Sequence, residues 1–168
     1  MTYSNTVMSV GIGEKASAAW GSQHLGAQCS FPDLDYTSSA TSKPSLSGAM
    51  FSARLVKHTG ATPVAPGSYV KYDTPGLTTA SITGTGDEPA GVVDPYLTSN
   101  VAQNEYYWLV YSGPCDSLAG EAAALNVPIK PDNTGRFVAG TEAANYGRVM
   151  EASTAAAQMR RVFLNIGG

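Results

Sequence analysis

The pattern Lys-x-Asp-x-x-Gly occurs twice, each time closing a short apolar run: Lys71, Asp73 and Gly76, then Lys130, Asp132 and Gly135. An Asp side chain can accept from the backbone two residues on, and Gly takes positive φ without steric cost, so each copy reads as a strand stopped by a tight turn. A return segment follows each turn, then a Gly-containing loop and a Gly-led run closing on an acid, Gly91-Val-Val-Asp94 or Gly147-Arg-Val-Met-Glu151. Two hairpins, each followed by a third strand, are the frame. They are either two copies of one unit or two separate hairpins sharing one turn chemistry.

The remaining strands follow from alternation. Phe51, Ala53 and Leu55 alternate with Ser52, Arg54 and Val56 up to His58, which predicts one buried face and a solvated terminal histidine. Tyr106, Trp108 and Val110 share one face of the run 105–111, while Tyr107, Leu109 and Tyr111 share the other. Both faces need cover, so the run lies at the centre of a two-layer core or presents one face to a neighbouring subunit. Gly113-Pro114 is expected to end it. Residues 116–125 suit one or two helical turns capped by Asp116 or Ser117, although Gly120 opposes this. In the last run, 159–166, Val162, Leu164 and Ile166 point inward. Eight to ten short strands predict an all-β fold, a small β-barrel or β-sandwich of short antiparallel strands.

Residues 1–48 keep no period for long, and their large residues are widely spaced. Aromatic content argues against a disordered tail. The expectation is an extended N-terminal arm over 1–48 on a β-rich domain over 49–168, anchored elsewhere by Tyr3, Trp20, Phe31 and Tyr36. The alternative is that the segment folds back onto its own domain. Tyr107 and Trp108 are expected in the core or at a subunit interface.

Only 14% of the 168 residues are charged, so much of the surface is expected to be covered by neighbours. A net charge of −3 without a basic cluster argues against nucleic acid. The chain holds no apolar run of membrane-spanning length and starts without the basic and apolar blocks of a signal peptide, which predicts synthesis in a cytoplasm and no membrane partner. Cys29 and Cys115 match no metal spacing and read as free thiols.

Nothing in the sequence converges on catalysis. His24 and His58 stand alone, and no Gly-x-Ser-x-Gly elbow occurs. Asp33 with Asp35, and Asp87 with Glu88, read as solvated turn carboxylates. The expectation is a protein that is not an enzyme and has no cofactor or metal site.

Gly67-Ser-Tyr-Val-Lys-Tyr-Asp, then Glu88-Pro-Ala-Gly-Val-Val, then Asn145-Tyr-Gly-Arg-Val-Met-Glu-Ala-Ser closing on Arg160-Arg-Val-Phe-Leu, resembles the head decoration, or capsid cement, proteins of tailed bacteriophages. The resemblance spans about residues 49 to 166 and is one of pattern. It implies a structural virion protein, commonly trimeric, made in the host cytoplasm. Such a protein sits on the outer capsid surface and bridges copies of the major capsid protein. The rival reading is a phage tail or fibre-associated binding module, which would carry exposed aromatic residues in loops.

Overall fold

The computed structural model describes residues 10–84, 86–143 and 145–166. One short helix, α1 (Ala18–Gln23), precedes ten strands: β1 (Gln28–Leu34), β2 (Ser45–His58), β3 (Tyr69–Thr74), β4 (Thr78–Ser81), β5 (Gly91–Val93), β6 (Tyr106–Leu118), β7 (Ile129–Pro131), β8 (Phe137–Ala139), β9 (Gly147–Val149) and β10 (Met159–Asn165). The fold is all-β.

Five strands form a closed circuit. β2 pairs with β6, β6 with β5, β5 with β3, β3 with β4, and β4 returns to β2 in the only parallel pairing of the circuit. Closure removes free edges from this part of the sheet. β1 extends the sheet beyond β2, β10 and β9 extend it beyond β6, and β7 and β8 form a separate two-stranded sheet.

Period-two alternation divides the strands between two cores. Val56, Val70, Val93, Tyr107 and Leu109 share a core with Val64, Leu97 and Val101. Their sequence neighbours Leu55, Tyr69, Val92, Trp108 and Val110 turn to a larger core with Phe31, Phe51, Phe137, Val162 and Leu164. The expected coverage of both faces of 105–111 is therefore met within one chain. Tyr107 reaches the Thr79 hydroxyl at 2.7 Å, so its buried phenol keeps a partner.

The turn glycines Gly76 and Gly135 have φ of 75° and 76°. The two turns nevertheless differ. Asp132 accepts from the Thr134 and Arg136 amides at 2.7 and 2.9 Å, whereas Asp73 accepts from the Thr59 hydroxyl at 2.8 Å. Gly135 also lies against β3, its carbonyl accepting from the Tyr69 amide at 2.6 Å.

Three expectations need correction. β6 does not stop at Gly113-Pro114, and no helix follows. Gly113 takes φ of 93°, and a side chain there would lie 2.6 Å from the Met50 carbonyl, so glycine lets β6 pass β2 and continue along β10. Cys115, Ser117 and Ala119 are then all buried, a period of two that overrides the helix propensity of the alanines. His58 is also fully buried rather than solvated, with Nε2 2.9 Å from the Thr62 carbonyl.

Candidate functional site

Side chains from residues 10–36 pack in the same core as β2 and β6. Val10 and Ile12 are buried, the Trp108 indole donates to the Val10 carbonyl at 3.2 Å, and Ala16 bridges to Tyr106. Ser17 caps α1, accepting from the Trp20 amide at 3.3 Å. Gly21 is required there, because a side chain would meet the Tyr106 ring at 2.3 Å. β1 then runs antiparallel to β2.

This folding decides where the expected anchors lie. Tyr3 is outside the described residues. Trp20 is half-buried and stacks on His24 with centroids 4.2 Å apart. Phe31 is buried, 5.6 Å from Phe51 and 5.2 Å from Trp108. Tyr36 packs against Tyr96 at 5.0 Å and donates to the Pro32 carbonyl at 2.9 Å. Tyr107 and Trp108 are fully buried in the two cores.

The buried carboxylates have structural partners. Asp33 was expected to be a solvated turn residue, but it is 1% exposed and pairs with Arg161, which also meets Asp116 at 3.1 Å. Burial, and after it the nearby carboxylates of Glu151 and Asp35, raise the pKa of Asp116 above its ordinary value, and a hydrogen bond with Tyr96 opposes that rise. Asp87 pairs with Lys71 at 3.1 Å and accepts from the Thr83 and Gly84 amides. Among the described residues, no group of three or more His, Cys, Asp or Glu could hold a metal ion.

Asp94 is fully buried and accepts from the Gly13 amide at 2.7 Å and the Tyr96 amide at 2.9 Å. Burial raises its pKa to about 6, with those two bonds acting in the opposite sense. An unfolded Asp titrates near 3.9, so the folded chain holds this proton more tightly. The resulting stability is fully present below about pH 4 and is lost as pH rises through about 6. Urea unfolding at pH 4.5 and pH 7 should show a loss from this group of about 2 kcal/mol. Asp94→Asn should remove that part of the difference, and an unchanged pH dependence in the variant would refute the assignment.

The side chains left accessible form a different set. Met50 is 53% exposed and Phe163 46%, with Leu46, Met150 and Met159 also exposed. Pro32 lies opposite Met50 in the β1–β2 ladder, and Phe163 lies between Pro114 and Arg148 in the ladders of β10 with β6 and β9. Gly113 brings the two halves together at the Met50 carbonyl. The neighbours of these positions, among them Phe31, Phe51, Val162 and Leu164, are buried, so Pro32, Met50, Phe163 and Arg148 point away from the core. Phe163 and Met150 also line an open groove of about 510 Å³ with Asn126, Asn145 and Asn165. The charges beside this face are paired within the chain: Arg148 with Glu142 at 2.9 Å, and Arg161, two residues before Phe163, with Asp33 and with Asp116 at 3.1 Å. This face thus combines the exposed apolar side chains of Met50, Met150 and Phe163 with polar Asn and Arg side chains.

No family model matches the sequence, and no curated protein matches it. Among solved structures, two that are similar in chain path come from bacteriophages. One is the head fibre gp8.5 N base in bacteriophage phi29, at 12% identity and a TM-score of 0.49, covering 66% of this chain and 92% of that one. The other is the capsid of Myoviridae phage XM1, at 15% identity and a TM-score of 0.46, covering 80% of this chain and 92% of that one.

Proposed function

We propose that this chain is a structural virion protein that binds the outer surface of a tailed-phage capsid, as trimers, and stabilises it by bridging major capsid protein subunits. The observation that carries the reading is the outward apolar face around Met50 and Phe163, bordered by charges that are already paired. Such a face suits a permanent protein contact. The phage sequence pattern over residues 49–166 supplies the class of partner.

The mechanism is linkage. A protein that binds only the assembled shell lowers the free energy of that state, and many repeated weak contacts add avidity. Catalysis plays no part in it.

Co-sedimentation with capsids of the source phage that lack this chain tests the reading. Saturable binding at a fixed ratio to major capsid subunits, with a raised capsid melting temperature, is expected. Absence of binding to shells of every maturation state would overturn the reading in favour of a tail or fibre module.

A further inference from the structure

We infer that the row formed by Pro32, Met50, Phe163 and Arg148, with Met150 beside it, is the shell contact, and that its methionines fit it to subunit copies that are not geometrically identical. This inference rests on the capsid-binding reading above.

Three observations select the occupant. The row crosses β1, β2, β6, β10 and β9, about 19 Å at ordinary strand spacing, with the buried Pro114 as its position on β6. Its five side chains are well below the roughly 20 to 30 residues per side of a stable pairwise complex, so a single copy of this chain makes a poor partner and a repeating lattice a good one. Charge gives the second. The bordering arginines Arg148 and Arg161 already hold Glu142 and, for Arg161, both Asp33 and Asp116, which favours an uncharged apolar partner surface over an acidic one.

The third observation is the choice of side chains. Met50 and Met150 are exposed where a rigid interface would use branched or aromatic residues. Methionine is unbranched and polarizable, and repacks against surfaces of differing shape. A closed shell presents the same chemistry at positions of differing local curvature, and a flexible contact can occupy all of them.

The test uses the full chain and capsids lacking it. Met50→Ser and Phe163→Ser should each weaken capsid binding by about tenfold or more, because each removes a buried apolar contact. Their melting temperatures should stay unchanged, and Leu77→Ser, on the distant β3–β4 turn, should bind as wild type. Wild-type affinity should vary little between about 50 and 500 mM salt, since an apolar contact is not screened. The double variant Met50→Ile, Met150→Ile keeps side-chain volume but loses flexibility, and should saturate at fewer copies per capsid.

Full binding by both serine variants, or steep loss of binding with salt, would overturn the inference while leaving the capsid reading intact. Unchanged saturation by the isoleucine variant would overturn the role given to the methionines. A serine variant that lowers the sedimentation coefficient of the free chain would assign the row to contacts between copies of this chain instead. Failure of the wild-type chain to bind any shell would overturn both readings.

Discussion

Replacing Trp108 with alanine should destabilise the chain by about 3 to 5 kcal/mol in urea unfolding, the usual cost of truncating a buried tryptophan. Trp108 is fully buried, meets Phe31 edge-on at 5.2 Å and donates to the Val10 carbonyl at 3.2 Å. Three parts of the chain that are distant in sequence therefore depend on one side chain. Trp108→Phe should retain most of the packing while releasing the Val10 carbonyl, at a cost of about 1 kcal/mol. Hydrogen exchange should rise first at residues 10–16 in this variant. A loss below about 1 kcal/mol for the alanine variant would show that Trp108 is not the packing centre.

The second large effect is expected at Arg161. Its side chain is 15% exposed and its partner Asp33 only 1%, so Arg161→Ala leaves a buried carboxylate without its counter-ion. Removing one member of such a pair costs about 3 to 5 kcal/mol, whereas replacing both with uncharged groups costs much less. The double variant Arg161→Met, Asp33→Asn should therefore be more stable than Arg161→Ala. If the single variant is as stable as the double, the ion pair is not holding β1 to β10.

The sequence shows most clearly the elements governed by alternation. β2 from Phe51 to Leu55 and β10 from Val162 bury alternate residues, β6 sends alternate residues to two cores, and the two hairpins carry their turn chemistry in Asp and Gly. What it hides is set by distant partners. Asp33 looks like half of a solvated pair because Arg161 lies 128 residues away. β1 contains Pro32 and buries only Phe31 and Asp33, so its alternation is too short to stand out. Gly113 resembles a stop because its role is to clear the Met50 carbonyl, a contact with no local signature. Of the aromatic residues expected as anchors, Phe31 is buried and Trp20 and Tyr36 are half-buried, while the exposed Met50 and Phe163 read locally as ordinary strand positions.

The link between Val10 and Trp108 also has a consequence in time. The two residues are 98 positions apart, so a ribosome adding about 5 to 20 residues per second takes about 5 to 20 seconds to supply the second after the first. During that interval Val10 and Ile12 have no Trp108 to cover them, and the five-strand circuit cannot close before β6 is made. The first described residues of the chain thus dock only after β6 is made. A pause or truncation before β6 would leave an apolar segment exposed in the nascent chain, open to capture by chaperones or by other unfinished copies.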